Sequence, residues 1–202
     1  MTDESSTTRA EQTRAKLLAA ALAAFAERGF HATTTRDIAS AAGMSSAAVY
    51  VHYRSKQELL FELSRSGHLA TIESIDSADD PTATPSARLT RVMRDFAVWH
   101  ARGHTSARIV NYELSALEPD HLDEIRALRR EITRRVRAIV DAGIASGEFD
   151  VDDPHTTTNT LLSMGIDIAR WYRDDGHLTP EALGDFYAST ALRVVGATPA
   201  GK

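Results

Sequence analysis

Apolar residues recur along this chain with the spacing of helices, and no window alternates with period two for long enough to predict a strand. In the first apolar segment Leu18, Leu22 and Phe25 share one face, and Gly29 follows where a left-handed residue commonly ends a helix. The pattern predicts an all-α protein with about nine helices, at residues 9–28, 36–42, 46–53, 56–75, 85–101, 104–117, 119–146, 154–173 and 180–196.

Capping residues predict where several of these helices begin. Three starts share a capping residue followed by proline, namely Thr84-Pro85, Asp153-Pro154 and Thr179-Pro180. Capping boxes, in which two side chains satisfy each other's free backbone N–H, are predicted for Thr8 with Glu11 and for Ser55 with Glu58. The polar residues 1–8 are predicted to form a disordered tail, and residues 76–85 a loop.

Charge is distributed unevenly along a chain whose mean composition is ordinary. The 202 residues are 43% hydrophobic and 25% charged, with a net charge of −5. Between Arg9 and Lys56, however, seven basic residues stand against three acidic ones, whereas residues 57–202 hold 16 basic and 23 acidic residues. A polyanion such as DNA is therefore attracted to the first segment and repelled by the second. Ordinary patchiness over a short segment is the alternative explanation on charge alone.

The sequence lacks the residues that several classes of function require. The chain has no cysteine, which excludes disulfide scaffolds, thiol catalysis and cysteine-ligated metals. Its longest apolar run, residues 17–26, is shorter than a membrane span, and no signal segment opens the sequence, so we expect a cytoplasmic protein. His100 and His104 are spaced to hold a metal on one helix, but Gly103 predicts a helix end between them. No catalytic motif, cofactor or metal site is therefore predicted.

Residues 36–53 have the layout of a helix-turn-helix. A short helix, a turn at Gly43 and a second short helix would place the second helix in the major groove of DNA. Small side chains at the start of that helix allow close approach, and hydroxyl groups there can meet a phosphate or a base edge. The candidate DNA-binding residues are Ser45, Ser46, Ala47 and Ala48, with Tyr50, His52, Tyr53 and Lys56 as phosphate-reaching groups further along.

The stretch from Gly29 to Leu60 reads GFHATTTRDIASAAGMSSAAVYVHYRSKQELL. It resembles the TetR (AcrR) family in its Thr-Thr-Arg, its Ile-Ala-x-x-Ala-Gly turn, its Val-Tyr-x-His-Tyr helix and its Ser-Lys-x-x-Leu entry to the fourth helix. The resemblance implies a one-component transcriptional regulator, a repressor that binds a palindromic operator as a dimer. It also implies release from the operator by a small-molecule effector.

The same resemblance implies roles for individual residues. Thr35 is expected to cap the first short helix and contact phosphate, and Arg36 to reach a base edge or a phosphate. The remaining positions divide into those that face bases, Ser46, Ala47 and Ala48, and those that hold the DNA backbone, Tyr50, His52 and Lys56. Four residues are expected in the core, namely Ile38, Ala42, Val49 and Tyr53, and His52 can also pack there. Because the base-facing side chains are so small, sequence discrimination is expected to rest on few direct contacts together with DNA shape.

The helices after residue 85 predict a dimer. Apolar residues cover nearly the whole circumference of helix 154–173, so it must be covered on more than one side. The last helix has an apolar face that includes Leu183, Phe186 and Tyr187. In the family the last two helices pair with those of a second copy, and recognition helices about 34–36 Å apart meet successive major grooves. A monomer whose core surrounds both helices is the alternative.

Polar and aromatic residues in apolar surroundings predict an effector site among the middle helices. The pattern Ala-Arg-Trp-Tyr-Arg followed by Gly-x-Leu-Thr-Pro-Glu, at residues 169–181, resembles family members that respond to acyl-CoA thioesters. That resemblance implies contacts from Arg170 and Arg173 to CoA phosphates. Each candidate can instead be an ordinary core residue. The candidate ligand-binding residues are Trp99, His100, Asn111, Tyr112, Met164, Asp167, Arg170 and Trp171.

We therefore predict a tail at residues 1–8, a helix-turn-helix DNA-binding domain at 9–56, and a ligand-binding and dimerisation domain at 57–202. The expected partners are a double-stranded DNA operator, a small hydrophobic or acyl-CoA-like effector and a second copy of the chain, with no membrane. Such an effector must bind better to a conformer whose recognition helices are wrongly spaced. The alternative function is a helical adaptor or ligand-binding protein that lacks specific DNA binding.

Overall fold

The computed structural model describes the backbone of residues 3–197 and the side chains of residues 9–197. Regular structure in this part of the chain is entirely helical, as predicted, with no strand among the described residues. The helices are α1 Asp3–Arg28, α2 Thr35–Ala41, α3 Ser46–His52, α4 Lys56–Ala78, α5 Pro85–Arg102, α6 His104–Tyr112, α7 Pro119–Ser146, α8 Pro154–Trp171 and α9 Pro180–Val194, with a 3₁₀ turn at Leu114–Ala116.

Side-chain caps fix the starts of α5, α8 and α9, as predicted. Thr84, Asp153 and Thr179 each accept a hydrogen bond from a backbone N–H in the first turn of its helix, at 3.0 to 3.3 Å. A proline follows each cap, at a position whose N–H would have no partner within the helix. Gly29 ends α1 with a φ of +79°, so this predicted C-terminal signal is also confirmed.

The predicted start of the first helix is wrong. α1 begins at Asp3, six residues before Arg9, so residues 3–8 are helical rather than a disordered tail. Thr8 and Glu11 lie inside the helix and cannot cap its start. The physical reason is that no glycine or proline interrupts residues 3–8, so the backbone can continue the helix toward the N-terminus. Met1 and Thr2, the rest of the predicted tail, lie outside the described residues.

Two helix ends differ from the prediction by more than two residues. α6 ends at Tyr112 rather than 117, because the chain tightens into the 3₁₀ turn before Pro119 opens α7. α4 continues to Ala78 rather than 75, since no helix breaker precedes Asp79. The ends of α8 and α9 each come two residues earlier than predicted, which is within the usual uncertainty of a helix boundary.

The described chain forms two compact units. The N-terminal unit comprises the residues up to Gly67 together with Arg108–Ile125, and the C-terminal unit comprises His68–Ala107 together with the residues from Arg126 onward. These limits differ from the predicted division at residues 56 and 57. The N-terminal unit takes in the first half of α4 and a segment from the middle of the chain, which a reading of consecutive residues does not reveal.

In the N-terminal unit, α1, α2 and α3 pack around one apolar core. Leu17 and Phe25 of α1 are buried, and the four residues expected in this core, Ile38, Ala42, Val49 and Tyr53, are at most 2% exposed. Since Val49 faces inward from the middle of the seven-residue α3, the opposite face of that helix is left outside the core.

The core of the C-terminal unit is built around α5, which packs most extensively against α9 and next against α8. Two glycines allow these helices to approach closely. A Cβ atom at Gly165 would lie 2.5 Å from the ring of Phe96, and one at Gly184 would lie 2.6 Å from a methyl carbon of Val98. α8 and α9 are therefore held directly against the inner face of α5.

Candidate nucleic-acid interface and effector region

A capping box orders the start of α2. The N–H of Asp37 donates to Thr34 Oγ1 at 3.2 Å, and the N–H of Thr34 donates to Asp37 Oδ2 at 2.8 Å. The hydrogen bonds from Thr34, assisted by the positive charge of Arg28, hold the pKa of Asp37 below its usual value. The expectation that Thr35 caps this helix is wrong, because Thr34 is the cap and Thr35 is the first helical residue.

The turn between α2 and α3 is set by two residues. Gly43 has a φ of +67°, a backbone conformation that residues with a side chain rarely adopt. Ser45 then caps α3, accepting a hydrogen bond from the N–H of Ala48 at 3.2 Å. The hydroxyl of Ser45 is exposed but has this structural function as well.

Tyr50 is the residue that connects the two short helices on their exposed side. Its side chain is 54% exposed, and its hydroxyl lies 3.0 Å from the hydroxyl of Thr35. Arg36, the residue after Thr35, is exposed. Ala47 of α3 is exposed as well. The structure thus brings Thr35 and Tyr50 together, and Arg36 follows Thr35 on α2. Ser46, Ala48 and His52 of α3 are half-buried.

Lys56 is directed into the protein. Its ammonium group donates hydrogen bonds to the carbonyl oxygens of Phe30 at 2.7 Å, Thr33 at 2.8 Å and His31 at 3.2 Å. It also lies 4.4 Å from the centroid of the Phe30 ring. All three of its donors are therefore used within the protein, which argues against the expectation that Lys56 holds the DNA backbone.

Two exposed residues near the end of α3 were missed in the sequence. Val51 is 79% exposed, and Arg54 is exposed just beyond the helix. Val51 lies on the same face of α3 as Ala47, at a spacing of four residues, whereas Arg54 follows the extended C-cap residue Tyr53. Helical spacing from Ala47 was the signal that could have found Val51. Val51 was overlooked because apolar residues are ordinarily assigned to the core.

In the C-terminal unit, His100 is buried within α5. Its side chain is 4% exposed, its Nδ1–H donates to the carbonyl of Phe96 at 2.8 Å, and its ring lies 4.3 Å from the Phe96 ring. Burial, opposed by the bond to Phe96 and assisted by the nearby His68, lowers the pKa of His100 to about 4. The imidazole is therefore neutral at physiological pH.

His68 and Thr71 are buried polar residues of α4 that sequence analysis missed. They are 4% and 7% exposed, and together with His100 they place several polar groups inside the apolar C-terminal unit. Their three-residue spacing on one face of α4 was a usable signal. Such a cluster within an apolar region suits recognition of a largely apolar ligand by a few polar contacts.

Trp99 lines a shallow groove of about 310 Å³ on the surface of the C-terminal unit. Arg94 and Arg102 flank it, and both form ion pairs with α9, to Asp185 at 2.6 Å and to Glu181 respectively. The groove is open to solvent and carries charges of both signs. Its complete lining is Ser74, Arg94, Asp95, Val98, Trp99, Arg102 and Glu181.

The candidate ligand-binding residues differ in their surroundings. Met164 packs against the apolar core, whereas Asp167, Arg170 and Trp171 lie on the exposed surface of α8. The remaining two, Asn111 and Tyr112, belong to the N-terminal unit. That these residues bind an effector stays a prediction, since aromatic and polar residues in an apolar sequence occur on both buried and exposed helix faces.

Neither a metal site nor a membrane span is present among the described residues. No cluster of three or more histidine and carboxylate side chains among them has an arrangement that could hold a metal ion. Within the described residues, every helix is too short or too polar to cross a membrane. Gly103 ends α5 between His100 and His104, as predicted.

Comparisons with known proteins agree on one family. Residues 17–63 match the family model described as bacterial regulatory proteins, tetR family, and residues 82–195 match one described as tetracyclin repressor-like, C-terminal domain. The HTH-type transcriptional repressor KstR2 of Mycobacterium tuberculosis is 32% identical over 186 residues, which cover 89% of this chain and 90% of that protein.

Solved structures give the same result. A bacterial regulatory protein in the tetR family from Rhodococcus RHA1 is similar with a TM-score of 0.89 and 36% identity, over 93% of this chain and 98% of that one. The structure of the ketosteroid transcriptional regulator KstR2 of Mycobacterium tuberculosis is similar with a TM-score of 0.80 and 30% identity, over 92% and 95% of the two chains.

Proposed function

Because this chain belongs to the TetR family of bacterial regulatory proteins and is a DNA-binding transcriptional regulator, we propose that it is a repressor whose dimer binds a palindromic operator. A small, largely apolar effector releases it from that operator. The observation that carries the proposal is the outward face of α3, which presents Ala47 and Tyr50 while Val49 is held in the core. The similar KstR2 is itself named a repressor.

In this proposal the DNA-contacting residues divide into two groups. Ser46, Ala47 and Ala48 let the start of α3 approach the bases closely, since their side chains are short. Arg36 and Tyr50 supply longer polar contacts, and the hydroxyl of Thr35 holds Tyr50 in position at 3.0 Å. Ser45 contributes through its cap, His52 through packing at the end of α3, and Lys56 by ordering the neighbouring turn rather than by contacting phosphate.

The test is a titration of the protein with DNA from upstream of its own gene, at fixed salt. Arg36→Ala and Tyr50→Ala should each lower operator affinity by about 1–3 kcal/mol. Arg91→Ala is the matched control, because Arg91 is an exposed arginine of the C-terminal unit with one ion pair, to Asp80 at 3.4 Å. Equal affinities for all four proteins would refute these contact assignments, and a helical adaptor would show no specific binding at all.

Two exposed aromatic residues support the proposed dimer. Phe186 of α9 is 60% exposed and Trp171 of α8 is 44% exposed, on the two helices predicted to pair with a second copy. Burial of large aromatic side chains dominates the energetics of most interfaces. We expect Phe186→Asp to shift the protein from dimer to monomer in analytical ultracentrifugation. Trp99→Asp, an exposed aromatic of α5, serves as the control and should leave the dimer intact.

The proposed effector binds in the C-terminal unit, where His68, Thr71 and His100 offer polar contacts within an apolar core. A largely apolar compound suits such surroundings, and acyl-CoA thioesters are the class to screen first, by calorimetry. Arg170 is 3.4 Å from Asp167, and Arg173 donates to the carbonyl of Tyr172 at 2.8 Å, so neither supports a preformed CoA phosphate site. An effector must bind the DNA-free state more tightly, so a compound that binds without lowering operator affinity would refute this role.

A further inference from the structure

Val51 is the most exposed large hydrophobic side chain among the described residues, at 79%. It lies on the outward face of α3, four residues after Ala47 and next to Tyr50, both of which are exposed. An isolated exposed valine is ordinary on a protein surface. On a seven-residue helix that contacts DNA, however, the outward face is the one that meets base edges.

We propose that Val51 recognises a thymine of the operator through the C5-methyl group, and so helps to determine operator sequence. This inference rests on the proposed use of α3 in the major groove. A valine side chain has no hydrogen-bonding atom, so its only favourable contact with a base edge is apolar. The thymine methyl group is the apolar feature that the major groove presents, and it distinguishes thymine from every other unmodified base.

The neighbours of Val51 cannot perform this recognition equally well. Ala47 has a single methyl group and reaches less far from the helix. The hydroxyl of Tyr50 is held by Thr35 at 3.0 Å, which directs that side chain toward α2. Val51 has a branched Cβ with one strongly preferred rotamer in a helix, so little side-chain entropy is lost when it packs against a methyl group.

Replacement of thymine by deoxyuridine tests the proposal, because the two bases differ only in the methyl group. The operator is first located by footprinting on DNA upstream of the gene, and each of its thymines is then replaced singly. For the wild-type protein we expect a loss of about fourfold in affinity at one thymine position, and at its symmetry mate in a palindrome, as for one apolar carbon returned to water.

Variants at residue 51 assign that effect to the side chain. Val51→Ala should bind the thymine operator about fourfold more weakly and become insensitive to deoxyuridine at that position. Val51→Thr keeps a methyl group on the same branched carbon and should remain sensitive. Leu69→Ala truncates another exposed apolar side chain, 37% exposed on α4, and should leave the deoxyuridine profile unchanged.

The outcomes separate this inference from the proposed function. A wild-type protein that binds its operator but responds to deoxyuridine at no position would overturn the role of Val51. The same conclusion follows if Val51→Ala keeps the wild-type deoxyuridine profile. A protein that binds no upstream fragment specifically would instead refute the proposed function itself.

Discussion

Tyr53, the C-cap of α3, has a buried hydroxyl group with no hydrogen-bond partner among the described residues. The residue is 1% exposed, and burial raises the pKa of its phenol. Arg14 lies over the face of the ring, 4.9 Å from its centroid, and its charge acts against the rise in pKa. A buried polar group without a partner costs free energy. The ring of Tyr53 therefore stabilises the folded state, whereas its hydroxyl group destabilises it.

We therefore predict that Tyr53→Phe raises the free energy of unfolding by about 1 kcal/mol, since the ring and its contact with Arg14 are retained. The midpoint of urea unfolding measures the change. Tyr50→Phe, in the same helix, is the matched control. It loses the exposed hydrogen bond to Thr35 and should change stability by less than about 0.5 kcal/mol. A loss of stability in Tyr53→Phe would mean that the hydroxyl has a partner in solution.

For individual residues, the sequence predicts which side chains are buried better than it predicts their hydrogen-bond partners. Tyr53 and Val49 were expected in the core and are there, because the family pattern and helical spacing agree on their direction. The targets of long side chains were not predictable. Lys56 was expected to contact DNA but reaches carbonyls 23 to 26 residues earlier in the chain, a contact that depends on the tertiary fold.

Lys56 joins the first residue of α4 to the turn that follows α1. Its ammonium group donates to the carbonyls of Phe30, His31 and Thr33, which lie between the end of α1 and the start of α2. The turn leads directly to Thr34, the cap of α2. The position of α2 thus depends on Lys56, a residue that follows α3 in the chain.

We predict that Lys56→Met, which keeps the aliphatic stem, lowers the free energy of unfolding by roughly 1–2 kcal/mol. Lys56→Arg should not restore it, because a planar guanidinium cannot direct three donors to these carbonyls. Urea unfolding measures both. The salt dependence of operator binding then distinguishes the two roles. Loss of a phosphate contact reduces the slope of log K against log salt by about one, whereas loss of this internal contact leaves it unchanged.

Helix starts were predictable where a side chain marks them, and helix ends were less so. Thr84, Asp153 and Thr179 are local signals that act within one turn of their helices. The end of α6 at Tyr112 depends instead on a 3₁₀ turn with no strong sequence signature. The start of α1 was missed because a helix that begins in polar residues has no apolar periodicity to reveal it.

For the whole chain, the fold class and the family were accessible from sequence, but the extent of the compact units was not. The N-terminal unit includes Arg108–Ile125, and within it His121 stacks on Phe61 of α4 with centroids 3.8 Å apart, while Arg65 pairs with Glu124 at 2.8 Å. Such pairs join residues about sixty positions apart. They depend on the tertiary fold, for which a single sequence gives no periodic or local signal.

Stability of the whole protein against pH should reflect the buried His100. Its pKa is lowered to about 4 by burial, with a further contribution from His68, whereas in the unfolded chain a histidine titrates near 6.5. Between these two values the unfolded state binds more protons than the folded state. Stability is therefore fully present above about pH 6.5 and falls as the pH decreases toward 4, by at most roughly 3 kcal/mol from this one residue.

Urea unfolding at intervals from pH 7.5 to 4.5 measures this dependence, and His100→Leu should flatten it within that range. The carboxylates of Asp37 and Glu131, whose pKa values are held low by hydrogen bonds from Thr34 and from Arg134 and Arg135 respectively, lose their stabilising charge only at lower pH. His177→Leu removes an exposed histidine and should leave the curve of the wild-type protein unchanged. If His100→Leu keeps the full wild-type slope between pH 6.5 and 4.5, another group must be responsible for it, since a leucine at this position has no proton to bind.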